Sequence, residues 1–63
     1  MTITIDGERR EAVRVGNRLR VWGVALNGRR CIVSEHSFAN LDYVLSAVKD
    51  GGAIRTNGHR YER

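Results

Sequence analysis

The sequence predicts a small α+β domain in which an antiparallel sheet of about five to six strands is covered by one α-helix. The chain has 63 residues and no proline. A chain of this length buries a single thin core, so we expect residues 1–63 to form one domain. Pairs of Asn or Asp with Gly separate stretches that alternate like strands, which predicts three hairpin-type turns. Only one segment has the apolar spacing of a helix.

The first hairpin is predicted around Asp6-Gly7. Apolar residues alternate on both sides of this pair: Ile3, Ile5, Val13 and Val15. A two-residue loop would put the isoleucines and the valines on opposite faces, because side chains alternate with a period of two. We therefore expect a longer loop or a bulge around residues 8–10. Gly16-Asn17 marks a turn into the next strand.

The second hairpin is predicted around Asn27-Gly28, because both residues tolerate the positive φ of a two-residue type I′ turn. Such a turn pairs Leu26 with Arg29. It also collects apolar residues on one face, which we interpret as the core face: Trp22, Val24, Leu26, Cys31 and Val33. The opposite face is expected to carry Val21, Ala25, Arg30, Ile32 and Ser34.

The segment that follows predicts a helix of about three turns. Its apolar residues recur at spacings of three and four: Phe38, Leu41, Val44, Leu45 and Val48. Ser37 or Asn40 is suited to cap its first turn, and Gly51-Gly52 ends it. We expect this stripe to cover the core face of the second hairpin.

The third hairpin is predicted around Asn57-Gly58. A two-residue turn there pairs Ile54 with Tyr61 on one face and places Arg55 opposite Arg60 on the other. Two like charges at one cross-strand position favour contact with water or with an anion.

The charge distribution is the strongest functional signal in the sequence. Lys and Arg number 11 against seven Asp and Glu, which gives a net charge of +4 and a pI near 10.2. Seven of the arginines fall within residues 9–30, where Glu11 is the only acid. A clustered positive field favours a polyanion or an acidic protein surface as partner. The alternative is a compositional bias of a GC-rich genome that encodes Arg where Lys would serve equally well.

Nucleic acid is the partner that this distribution favours, because arginines bind phosphates and aromatic side chains stack on bases. Trp22 falls on the predicted core face, which leaves Tyr61 as the most accessible aromatic. A single predicted helix excludes a helix-turn-helix. The predicted nucleic-acid-binding residues are Arg14, Arg18, Arg20, Arg29, Arg30, Arg55, Arg60 and Tyr61.

No pattern in the sequence is typical of catalysis, of a metal site or of cofactor binding. We interpret Cys31 as a small buried hydrophobe, and His36 and His59 as surface or turn residues. One cysteine forms no internal disulfide, and no stretch resembles a signal peptide or a membrane span. We therefore expect a cytoplasmic protein with no enzymatic activity and no cofactor.

The expected function is that of a small, basic, non-enzymatic protein that contacts nucleic acid or a nucleoprotein assembly through Arg-rich strands and turns. The alternative is a protein-interaction module, such as a small inhibitor or accessory subunit of a mobile element, that docks on an acidic protein surface. We also expect a homodimer, because one helix covers only one face of a sheet. The alternative to a dimer is a small barrel closed within one chain by the N-terminal hairpin.

Overall fold

The computed structural model describes all 63 residues and contains one six-stranded antiparallel sheet and one α-helix, which confirms the predicted α+β class. The strand order is β4-β3-β2-β1-β6-β5. No helix is long and apolar enough to cross a membrane. The strands are β1 (Thr2–Ile5), β2 (Glu8–Val15), β3 (Arg18–Val24), β4 (Arg30–Ser37), β5 (Ala53–Thr56) and β6 (His59–Glu62), and the helix is α1 (Leu41–Ala47).

The first turn is tighter than the sequence predicts. Asp6 and Gly7 both have positive φ, 51° and 85°, and Ile5 lies opposite Glu8 in a two-residue loop. The expected bulge around residues 8–10 is therefore wrong. A type I′ turn matches the right-handed twist of the strands, and Ala12 supplies the apolar partner for the isoleucines in place of the valines. Val13 and Val15 point to the other face, where they are 47% and 43% exposed.

The second hairpin differs from its prediction in both turn and register. The Ala25 N–H donates to the Arg29 carbonyl at 2.8 Å, and Gly28 has a φ of 82°. The loop therefore contains three residues, and Ala25 rather than Leu26 faces Arg29. A bulge at Val33 shifts the β3–β4 register once more, because Val21 pairs with Ser34 but Trp22 pairs with Ile32.

The predicted core face of this hairpin is wrong for the residues of β3, whereas Cys31 of β4 lies opposite the buried Gly23 on the inner side. The two-residue turn at Gly16-Asn17 places Ala12 beside Val21, so Leu19 and Val21 join Ile3 on the buried side of the sheet. Trp22 and Val24 lie on the opposite side, where Val24 is exposed, and Leu26 is exposed in the three-residue loop. The buried residues are Ile3, Ala12, Leu19, Val21, Leu41, Val44, Val48 and Tyr61, together with Gly23.

The predicted apolar stripe of the helix is buried, but it packs against the face of Ile3, Leu19 and Val21 and not against the predicted Trp22 face, and the helix is shorter than predicted. Leu41, Val44 and Val48 are buried, and Phe38 and Leu45 pack against them. Asn40 is the N-cap, because its side chain accepts a hydrogen bond from the Tyr43 N–H at 3.2 Å. α1 has seven residues and continues into a 3₁₀ turn, Lys49–Gly51, in which Gly51 has a φ of 83°.

The sheet curls so that its two ends approach each other across the inner face, which is the face packed against α1. The third hairpin has the predicted turn and register, with Ile54 opposite Tyr61 and Arg55 opposite Arg60. Its Asn57 side chain donates to the Ser37 carbonyl of β4 at 2.7 Å. No backbone pairing joins β4 to β5 or β6, and the N-terminal hairpin occupies the middle of the sheet. The outer face is therefore left uncovered.

Candidate nucleic-acid interface

The outer face of the sheet carries six of the arginines. Strand register aligns alternate residues of all six strands on this face, and α1 lies on the other side. The acids on the same face are Glu11, Glu35 and Glu62. Its arginines, which we call the outer-face arginines, are Arg9, Arg18, Arg20, Arg30, Arg55 and Arg60.

Half of the outer-face arginines form exposed ion pairs. Glu35 lies 3.2 Å from Arg18 and 3.4 Å from Arg20, and Arg60 lies 3.0 Å from Glu62. Exposed ion pairs contribute about 0–1 kcal/mol each, so a phosphate can replace the carboxylate at little cost.

The other outer-face arginines, which are Arg9, Arg30 and Arg55, have no carboxylate partner within 4.0 Å. Glu11 instead pairs with the N-terminal ammonium at 2.9 Å. That hydrogen bond holds the pKa of Glu11 below its ordinary value. The three arginines therefore keep their full hydrogen-bonding capacity for a ligand.

Trp22 lies beside Arg9 and Arg30, on the outer face and not in the core. It is half-buried and lies opposite Glu11 on β2 and Ile32 on β4. The Arg30 guanidinium carbon is 5.2 Å from the centre of its ring, a cation–π arrangement. Other apolar side chains on the same face are also half-exposed or exposed: Val13, Val15, Val24 and Ile32.

Arg14 and Arg29 lie apart from the outer-face arginines. Arg14 is on the inner side, where it donates to Asp42 of α1 at 2.6 Å and to the Gly16 carbonyl at 2.9 Å. Together these bonds tie the helix to the β2–β3 turn, and the bond to Asp42 holds the pKa of that carboxyl below its usual range. Arg29 is exposed in the β3–β4 turn. Of the predicted arginines, Arg14 is the one that the fold places on the inner side, against the helix.

Tyr61 is fully buried, so its prediction as an exposed stacking residue is wrong. It lies on the inner face of β6, which the register with Ile5 and Ile54 requires. Burial raises the pKa of Tyr61 to about 12. The side chain belongs to the core and carries no surface function.

A polar cluster on the inner face was missed at the level of sequence. The Tyr61 hydroxyl lies 2.7 Å from His36 Nδ1, and the other ring nitrogen of His36 lies 3.1 Å from Ser34 Oγ. His59 Nδ1 lies 2.6 Å from Asp6, and the two imidazoles are 5.0 Å apart. In the sequence, strand alternation already places Ser34 and His36 on one face of β4. The curl of the sheet that brings β6 next to them cannot be predicted from the sequence.

This cluster opens onto a groove of about 470 Å³, with Glu8, Arg10 and Glu35 at its rim. Burial and the neighbouring His59 hold the pKa of His36 below its ordinary value. The hydrogen bond from His59 lowers the pKa of Asp6. All of these groups have protein partners, and no three His, Cys, Asp or Glu side chains are grouped to hold a metal ion. Cys31 is a free, half-buried thiol.

No protein-family model, curated protein or solved structure matches this chain. The outer face of the sheet is therefore the evidence for a function.

Proposed function

We propose that the protein binds nucleic acid through the outer face of its sheet. The observation that carries the proposal is the collection of six arginines on one open face, three of them without carboxylate partners. Three glutamates on the same face leave a net positive field, and such a field attracts polyanions.

The chemistry of the side chains also supports a phosphate ligand. Guanidinium groups bind phosphate through two parallel hydrogen bonds, which a lysine ammonium does not offer. The arginines are spread around the convex side of the curled sheet, from Arg30 on β4 to Arg55 on β5, which are its two edge strands. This span suits an extended backbone better than a single phosphate group.

The first test measures the affinity for fluorescently labelled oligonucleotides while salt rises from about 50 to 200 mM. Each phosphate contact releases counterions, so the logarithm of the affinity should fall linearly with the logarithm of the salt concentration. Replacing both arginines in Arg30→Gln/Arg55→Gln should reduce that slope by about 1.5, since each contact contributes about 0.7–0.9.

A matched control separates the surface from the net charge. The variant Lys49→Gln/Arg63→Gln removes the same amount of charge from outside the outer-face set, and it should keep the slope and most of the affinity. If the two double variants lose the same amount of affinity, net charge and not this face drives binding. No binding at the lowest salt would end the proposal.

A protein-interaction module remains the second candidate, and one observation favours it. Ile32 and Val24 lie on the same face as the arginines and are 47% and 68% exposed. A surface that combines aliphatic side chains with arginine fits an acidic protein surface. This candidate is favoured if the affinity for oligonucleotides depends only weakly on salt and if Ile32→Lys abolishes the binding of a protein partner.

A further inference from the structure

The first and second hairpins separate beyond Trp22, and this separation forms a cleft on the molecule's surface. The β2–β3 pairing ends at Glu11 and Trp22. Beyond that pair, β2 is bonded only to β1, and β3 only to β4. The cleft has a volume of about 270 Å³ and is lined by Arg9, Arg10, Glu11, Trp22, Gly23, Val24 and Arg30.

The backbone of two residues faces this cleft without a strand partner. The Ala12 N–H donates toward β1 and the Ala25 N–H donates toward β4. Because hydrogen-bonding direction alternates along a strand, the N–H and C=O groups of Arg9 point toward β3, and those of Val24 point toward β2. Arg9 and Val24 would form the next pair of the ladder, but they are not paired. The cleft therefore offers backbone donors and acceptors to a ligand.

The side chains around these backbone groups suit a flat, anionic ligand. Trp22 lines the cleft, and Arg30 lies over its ring at 5.2 Å. Arg9 lies on the facing strand with no carboxylate partner. An aromatic ring can replace the guanidinium over the indole, because both stack on its face, and Arg30 is then free to bind a phosphate.

We propose that this cleft binds one unpaired base of a single-stranded nucleic acid. The base stacks on Trp22, its edge meets the backbone groups of Arg9 and Val24, and Arg9 and Arg30 bind the flanking phosphates. This inference rests on the function proposed above and narrows its ligand from nucleic acid in general to a single strand. A duplex hides the faces of its bases, so it reaches the arginines but not the indole.

The test uses three probes of about ten nucleotides: a thymidylate strand, an abasic strand of the same length, and a blunt duplex. Trp22 is the only tryptophan, so the intrinsic fluorescence of the unmodified protein reports stacking at this residue. The thymidylate strand should quench that fluorescence, and the other two probes should not. It should also bind about 5- to 150-fold more tightly than the abasic strand, as one stacked base predicts.

A pair of variants completes the test. Trp22→Leu should abolish the preference for thymidylate over the abasic strand and leave the abasic affinity unchanged. Tyr43→Leu removes an aromatic side chain that is 65% exposed on α1, and it should change neither. The comparison of the three probes on the unmodified protein decides the question even if Trp22→Leu does not fold.

The outcomes separate the two proposals. Salt-dependent binding with equal affinity for thymidylate and abasic strands, and with unchanged fluorescence, would overturn the base site and leave the arginine surface intact. Failure of all three probes to bind at low salt would overturn both.

Discussion

Tyr61 joins the two ends of the curled sheet. Its ring is buried and packs edge-on against Phe38 and His36, with ring centres 5.2 and 5.6 Å apart. A buried phenol needs a hydrogen-bond partner, and His36 Nδ1 provides one at 2.7 Å. This hydrogen bond helps to link β6 to β4, which the backbone ladder does not connect.

The ionisation of Tyr61 should make the fold sensitive to alkali. In the unfolded chain the phenol ionises near 10, and in the fold its pKa is about 12. Between these values the unfolded state has lost a proton that the folded state keeps, so the free energy of unfolding falls as pH rises from 10 to 12. Urea titrations across this range should show that fall.

Absorbance at the phenolate band provides the direct measurement for the same prediction. In Tyr43→Phe, Tyr61 is the only tyrosine, and the folded protein should show its ionisation step near 12. A step near 10 with the circular dichroism of the fold intact would contradict the burial of the hydroxyl. Tyr61→Phe should remove the fall in stability between these pH values.

At the scale of the elements, the helix shows what the sequence determines well. Leu41, Val44 and Val48 repeat at spacings that only a helix places on one side, and no competing pattern exists in that segment. The choice between sheet faces is different, because β3 carries large apolar side chains on both. In the sequence, Trp22 and Val24 make the outer face of β3 more hydrophobic than its inner face. The inner face is nevertheless the buried one, because the two-residue turn at Gly16-Asn17 sets the register of β3 against β2.

The candidate site divides in the same way. The arginines were identified from composition and clustering, which are local properties of the chain. The cleft around Trp22 depends on where the β2–β3 ladder ends and on the shifted register at Val33. These are tertiary features, and a one-residue shift of register moves every side chain of a strand to the other face.

The contribution of the helix to stability can be measured at Leu41. This side chain is fully buried between α1 and the sheet, so Leu41→Ala should destabilise the fold by about 2–5 kcal/mol through lost burial and a cavity. Tyr43→Ala on the exposed side of the same helix should change the free energy of unfolding by no more than about 0.5 kcal/mol. Urea unfolding of both variants tests the packing, and equal effects would show that α1 does not cover the sheet as described.

At the scale of the whole molecule, the two faces of the sheet have opposite characters. The inner face is apolar beneath α1 and ends in a groove with paired acids and histidines. The outer face has no cover, and it combines arginines with half-exposed aliphatic side chains. A small domain without a disulfide has little stability beyond its single core, so any partner that covers this face adds to it.

A second copy of the chain is one such partner, and its binding should respond to salt in the opposite direction from nucleic acid. Two outer faces meeting across a two-fold axis would bring arginines toward arginines, while burying Val13, Val24 and Ile32 of both copies. Salt screens the repulsion, since the Debye length falls from about 10 Å at 0.1 M to about 3 Å at 1 M. We therefore expect homodimers at high salt and monomers at low salt. Sedimentation equilibrium over a hundredfold range of protein concentration at both salt levels measures the oligomeric state. Ile32→Lys should abolish the dimer. A monomeric mass under every condition would show that the outer face does not pair with itself.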